Sequence, residues 1–96
     1  MNVITKEKLE NYFSISREAL AIAKKAASRK GMKRERAAFL DTISRYLQDA
    51  EHFSKKNDKV NAFAAINYAH GWLDAGAKMG LWKVKNSRLF AGVEDE

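Results

Sequence analysis

The first third of the chain carries apolar and small residues at steps of three and four, the spacing of one face of an α-helix. Thr5 is expected to cap this helix, and Glu7 lies in its first turn, where the helix dipole favours a negative charge. The pattern predicts a helix over about residues 6–30, ended by Gly31, which adopts a positive φ at no steric cost. The stripe comprises Leu9, Tyr12, Phe13, Ser16, Ala19, Leu20, Ala23 and Ala27.

Two more stripes of the same kind follow along the chain. The first predicts a helix over about residues 33–55, for which no good N-cap residue is present. The second predicts a helix over about residues 58–79, with Asp58 as its N-cap and Gly80 as the glycine that ends it. The buried positions are Phe39, Leu40, Ile43, Tyr46, Leu47, Ala50 and Phe53, followed by Ala62, Ala65, Ile66, Ala69, Trp72, Leu73, Gly76 and Ala77.

Gly31 decides between one long rod and two separate helices. An internal glycine costs a helix only about 1 kcal/mol, so a continuous helix is conceivable. On a continuous helix, however, the second stripe would lie roughly 150° around from the first, and the rod would bury opposite faces at its two ends. A turn at Gly31 and Met32 lets both stripes face one core. The sequence therefore predicts an all-α, antiparallel up-and-down three-helix bundle, formed by one domain over residues 1–96.

The third predicted helix is apolar over more than half of its circumference, which is typical of a helix packed by two partners. Ala62, Ala65, Ala69 and Gly76 form a seam of small residues, at which another helix backbone is expected to approach closely. Gly71 falls on the polar side, where packing explains it less well. A loop, the tail or a ligand is expected to pass over it.

The tail over residues 81–96 has a mixed character. Leu81 and Trp82 are expected to fold back over the end of the bundle, as apolar residues after a glycine cap often do. The remainder has no clear period and is expected to be loosely ordered. In that state, Phe90 and Val93 are candidates to dock on a partner.

Composition limits the chemistry of this 96-residue chain. It contains no cysteine, which excludes disulfides, cysteine-based zinc sites and thiol catalysis. No signal-peptide core and no apolar run of membrane-spanning length is present, so a cytoplasmic protein without membrane association is expected.

The net charge of +6 is concentrated in one segment. Residues 24–36 carry seven cations against one acid, Glu35, so the rest of the chain is neutral overall. Such a segment could contact phosphates or an acidic partner, although charge runs are more often solvated surface. The cations are Lys24, Lys25, Arg29, Lys30, Lys33, Arg34 and Arg36.

His70 and Asp74 are four residues apart and therefore share a helix face. The structural interpretation is that Asp74 accepts a hydrogen bond from His70, whose other ring nitrogen reaches a backbone group or Tyr46. The functional interpretation makes the two residues metal ligands, or a base and the group that orients it. No third ligand and no nucleophile is evident, which favours the structural interpretation and predicts no metal or other cofactor.

Arg45 and His52 bracket the segment RYLQDAEH, which resembles the Arg–six residues–His spacing of helical ribonucleases of the HEPN class. Both residues share a helix face, as that chemistry requires. They are expected to point away from the apolar stripe, so they could form a site only in a cleft between two copies.

The segments YLQDAEHFSKKND and NAFAAINYAHGWLDAGAKMGLW resemble the small archaeal proteins catalogued as domain of unknown function 357. The resemblance is close over about residues 46–82. It implies an up-and-down three-helix bundle and no particular activity. The positions that match the family pattern are His70, Gly71, Trp72, Asp74 and Gly76.

Taken as a whole, the sequence favours a non-catalytic module that binds an unknown protein partner or a second copy of itself, because its third helix is so widely apolar. Nucleic-acid binding, to RNA in particular, through residues 24–36 is the alternative. No aromatic residues alternate with those cations, so only phosphate contact is expected. A HEPN-like ribonuclease using Arg45 and His52 is the second alternative.

Overall fold

The computed structural model describes residues 3–93 of the protein. Within them, the chain forms the helices α1 (Lys6–Lys25), α2 (Lys33–Lys55) and α3 (Lys59–Met79), and no strand. Helix α3 packs against both other helices, whereas α1 and α2 contact each other only slightly. The predicted all-α three-helix bundle is confirmed, with α3 as its central element.

Three of the four predicted caps are present. The Thr5 hydroxyl oxygen accepts a hydrogen bond from the Lys8 backbone N–H at 3.0 Å, at the start of α1. The Asp58 carboxylate accepts one from the Asn61 backbone N–H at 3.1 Å, at the start of α3. Gly80 ends α3 in the left-handed region, with a φ of 81°. Helix α2 begins after Met32, which makes no side-chain hydrogen bond to the helix.

Helix α1 ends at Lys25, five residues before its predicted end near residue 30. The reason is the guanidinium of Arg36, which reaches across from the first turns of α2 and satisfies the last carbonyl oxygens of α1. A side chain from another helix thus replaces the hydrogen bonds that further helical turns would have made. Its nitrogens donate to the carbonyl oxygens of Ala23 (3.1 Å), Lys24 (2.8 Å), Ala26 (2.7 Å) and Leu81 (2.9 Å).

The link between α1 and α2 runs beside the start of the tail. The Arg29 N–H donates to the Gly80 carbonyl oxygen at 2.7 Å, and the Lys83 N–H donates to the Ala27 carbonyl oxygen at 2.8 Å. Gly31 has a positive φ of 83°, but it forms the turn before α2 and does not cap α1. The predicted break between the two helices is therefore correct, and the role predicted for Gly31 as a helix cap is wrong.

The tail completes the core. The side chains of Leu81, Trp82, Leu89 and Phe90 are all buried. The expectation that residues beyond 82 are loosely ordered is wrong for the described part of the tail, because Leu89 and Phe90 pack among the helices. Phe90 is consequently not available to a partner, and Val93 is half-buried against the same cluster. Residues 94–96 lie outside the described part of the chain.

Candidate functional site

His70 joins α3 to α1 and to the tail. Its Nε2 lies 2.7 Å from the carbonyl oxygen of Leu89, and its Nδ1 lies 3.0 Å from the hydroxyl oxygen of Ser16. Because a carbonyl oxygen can only accept, Nε2 carries a proton and donates it to Leu89, while Nδ1 is hydrogen-bonded to the hydroxyl of the buried Ser16. Both ring nitrogens are thus used in holding the fold together.

Asp74 lies beside His70 and holds the next part of the tail. Its Oδ1 accepts a hydrogen bond from the Ala91 N–H at 2.9 Å and lies 3.6 Å from His70 Nε2, beyond hydrogen-bond distance. Of the two partners expected for His70, a backbone group or Tyr46, the backbone group is the one present, whereas the expected His70–Asp74 hydrogen bond is not made. Within residues 3–93, no group of three or more His, Cys, Asp or Glu side chains could hold a metal ion.

Trp72 and Gly76 line two different sides of α3. The indole of Trp82 occupies the space over Gly76, and its Nε1 donates to the Leu73 carbonyl oxygen at 2.9 Å. The close approach predicted at Gly76 is therefore real, but an aromatic side chain from the tail makes it, and not another helix backbone. Trp72 packs its ring edge-on against Phe39 of α2, with 4.7 Å between ring centroids.

Gly71 forms part of an open apolar groove of about 320 Å³ on the surface shared by α2 and α3. A Cβ atom at Gly71 would meet no heavy atom within 4 Å, and its φ is not positive. Nothing in residues 3–93 therefore requires a glycine there, although glycine costs a helix about 1 kcal/mol relative to alanine. The groove is lined by Phe39, Tyr68, Gly71, Trp72 and Ala75.

The groove continues into a row of exposed, uncharged residues along α3, which we call the outer stripe. Tyr68 is 63% exposed and stacks its ring on Tyr46 of α2, with 5.5 Å between ring centroids. Val60 is 70% exposed and Met79 is 41% exposed, at the two ends of the helix. The spacing of three and four residues that defines the outer stripe is present in the sequence. It was not recognised as a separate surface, because the prediction for this helix concerned only the apolar arc that faces the core. The outer stripe comprises Val60, Ala64, Tyr68, Gly71, Ala75 and Met79.

The predicted basic segment becomes one end of the bundle. Six of its cations are exposed, whereas the seventh, Arg36, is half-buried and turned inward on the carbonyl oxygens that end α1. The tail adds Lys83, which sequence reasoning did not include, through its backbone hydrogen bond to Ala27. The seven exposed cations, which we call the basic end, are Lys24, Lys25, Arg29, Lys30, Lys33, Arg34 and Lys83.

Arg45 and His52 both lie on the exposed surface of α2. The Arg45 Nε is 3.0 Å from the Asp41 carboxylate, and its side chain is 76% exposed. The His52 ring packs edge-on against Phe53, with 6.0 Å between ring centroids. The exposure expected for the pair is observed, and its use as a ribonuclease site between two copies stays a prediction.

By its geometry the protein is a three-helix bundle whose tail is held on the central helix α3 by hydrogen bonds with His70, Leu73 and Asp74. A family model described as "Protein of unknown function (DUF357)" matches residues 11–82, which are 72 of the 96 residues. The chain belongs to this family, as the resemblance over about residues 46–82 predicted. No curated protein and no solved structure matches the chain significantly. None of the helices in residues 3–93 has the length and apolar character needed to cross a membrane.

Proposed function

We propose that the protein is a non-catalytic self-association module, in which two copies pair through the outer stripe of α3 in antiparallel orientation. The observation that carries this proposal is the spacing of the stripe. Its steps along the helix are four, four, three, four and four residues, which read the same in both directions. A two-fold axis perpendicular to α3, at the level midway between Ala69 and His70, therefore maps the stripe of one copy onto the stripe of the other.

The side chains that would face each other across this axis fit by size. Tyr68, the largest residue of the stripe, would face Gly71 of the second copy and enter its open groove. Ala64 would face Ala75, and their small size permits close approach of the two helix backbones. Val60 would face Met79 at the ends. Such a surface is complementary to itself, as an interface with two-fold symmetry requires.

The charge distribution also favours this orientation. None of the six residues of the outer stripe is charged, and the exposed Lys78 at its edge has a side chain long enough to keep its ammonium group in water. The basic end lies near the C-terminus of α3, so antiparallel pairing places the two basic ends at opposite ends of the dimer. Parallel pairing would bring two strongly cationic surfaces together, at a cost that depends on salt.

The proposal also gives Gly71 a purpose, because the space above it would receive Tyr68 of the second copy. The test is the molar mass in solution, measured by light scattering over a range of protein concentration. The native chain is expected to be a dimer. Gly71→Glu is expected to be a folded monomer, because pairing would bury the new carboxylate against Tyr68 of the second copy. A native chain that is monomeric at every concentration overturns the proposal.

A matched control variant exists on α1. Ala21→Glu places the same new charge at an exposed helical position outside the outer stripe, and it is expected to stay dimeric. If Ala21→Glu dissociates as readily as Gly71→Glu, then net charge and not the outer stripe controls association, and the proposed interface is wrong.

A further inference from the structure

The basic end gathers cations from three separate parts of the chain. Lys24 and Lys25 occupy the last turn of α1, and Lys33 and Arg34 occupy the first turn of α2. Backbone hydrogen bonds between residues 27–29 and 80–83 bring Lys83 of the tail to the same end. From this convergence, we propose that the basic end binds the phosphate backbone of a nucleic acid.

Among the described residues, the charges of the basic end are not used to hold the fold together. No carboxylate of residues 3–93 forms an ion pair with any of its seven members. By contrast, Arg17, Arg45 and Arg88 elsewhere on the surface each pair with an acidic side chain. The only acid between residues 24 and 36 is Glu35. Within residues 3–93, the positive potential of this end is therefore not balanced by a paired carboxylate and is available to a ligand.

Helix stability does not account for Lys33 and Arg34. The N-terminus of a helix carries a partial positive charge, so cations in the first turn are unfavourable by several tenths of a kcal/mol each. Helix α2 also lacks a side-chain cap at Met32, which leaves its first N–H groups without one compensating acceptor. An anionic ligand at this place removes the unfavourable interaction.

The surroundings of the cations favour a nucleic acid over an acidic protein. A stable protein interface has an apolar centre, usually built on exposed aromatic or large aliphatic residues. The large exposed hydrophobic residues of the described chain are Val3, Val60, Tyr68 and Met79, and of these only Met79, which precedes Gly80, lies near the basic end. One methionine, which belongs to the outer stripe, does not form such an apolar centre. Cations without such an anchor suit a phosphate backbone, which presents regularly spaced charges and little apolar surface.

The chemistry of the basic end also determines what kind of binding is expected. With no aromatic side chain between residues 24 and 36, this segment offers bases no aromatic ring to stack on, so binding should depend little on nucleotide sequence. Release of counterions should dominate the affinity. If six or seven phosphates of a single strand are contacted, the affinity should fall by roughly 300- to 1,000-fold between about 50 and 200 mM salt, and by more for a duplex.

The test is fluorescence anisotropy of the full chain with a labelled single-stranded RNA of about 20 nucleotides, repeated with a DNA duplex. The variant Lys30→Glu/Lys33→Glu/Arg34→Glu is expected to weaken binding at low salt by at least about 100-fold. Its fold should persist, because acidic residues are favourable at the start of α2. The neutral variant Lys30→Gln/Lys33→Gln/Arg34→Gln should reduce the slope of affinity against salt by about two to three.

The control reverses three lysines at the opposite end of the bundle. Lys55→Glu/Lys56→Glu/Lys59→Glu changes the net charge by the same amount as the charge-reversal variant of the basic end. The control should bind RNA far more tightly than that variant. Three results overturn the proposal: no nucleic-acid binding at low salt, an equal loss of affinity in the control variant, or binding of polyglutamate as tight as that of RNA. The last result would assign the basic end to an acidic polypeptide.

Discussion

The indole ring of Trp82 lies over Gly76 so closely that a Cβ atom added to the glycine would be 2.6 Å from two of the ring carbons. Trp82 is fully buried and its Nε1 donates to the Leu73 carbonyl oxygen, so the ring has little freedom to move aside. The tail is thus attached to α3 by a close aromatic contact that only glycine permits. Gly71, five residues earlier in α3, has open space at the same point.

The two glycines of α3 should therefore respond in opposite ways to alanine. Gly76→Ala should lower the free energy of unfolding by about 1–3 kcal/mol, because the new methyl group displaces Trp82. Gly71→Ala should raise it by about 0.5–1 kcal/mol, because alanine is the better helix former and meets nothing. Urea denaturation of the two variants at a concentration where the chain is monomeric measures both changes. Changes of the same sign in both variants would contradict the close contact between Trp82 and Gly76.

Arg36 should be important for stability although it belongs to a basic segment. Its guanidinium donates four hydrogen bonds to carbonyl oxygens of α1, the link and the tail. Arg36→Met should cost about 2–4 kcal/mol, because partly buried carbonyl oxygens lose a charged donor. Arg36→Lys should recover less than half of this, because an ammonium group cannot reproduce the planar fork. Thermal denaturation compares the variants. Full recovery by lysine would mean that charge alone stabilises this junction.

His70→Ala should cost about 1–3 kcal/mol, because the buried Ser16 hydroxyl and the Leu89 carbonyl oxygen both lose their partner. The loss should concentrate in the tail. The substitution is expected to accelerate amide hydrogen exchange more strongly at residues 89–91 than in the centre of α2. A uniform increase over all three helices would contradict the attachment of the tail through His70.

Ser16→Ala tests the same Ser16–His70 hydrogen bond from its other partner. In the His70→Ala background, the Ser16 hydroxyl no longer has its His70 partner, so removing the hydroxyl should cost less than in the native chain. A double-mutant cycle in urea measures this difference. Additive losses would mean that the Ser16–His70 hydrogen bond contributes nothing of its own.

Much of the fold could be predicted because the local signals agree with one another. Thr5, Asp58 and Gly80 are caps whose chemistry acts within a few residues, and the stripes of α1 and α2 face one core. The end of α1 could not be predicted, because it depends on Arg36, which is eleven residues further along the chain than Lys25. The burial of Leu89 and Phe90 could not be predicted either. The segment around them has no periodic pattern of apolar residues, because contacts with distant helices determine their position.

The candidate surfaces were predicted less completely. The basic segment could be recognised from its composition, but the inward turn of Arg36 and the addition of Lys83 depend on tertiary hydrogen bonds. The groove at Gly71 was missed because the helical projection placed Gly71 on the polar side and Trp72 in the core. In the structure, the half-buried rings of Phe39 and Trp72 form the side of a groove that Gly71 leaves open.

The most direct test of antiparallel pairing uses the absence of cysteine in the natural chain. Ala64→Cys and Ala75→Cys would face each other across the two-fold axis, whereas two copies of Ala64→Cys would hold their cysteines about 16 Å apart along the helix. We predict that mild oxidation of the mixed variants gives a covalent dimer and that neither variant alone does. Cross-linking of Ala64→Cys alone, or none in the mixture although light scattering shows a dimer, would contradict the account.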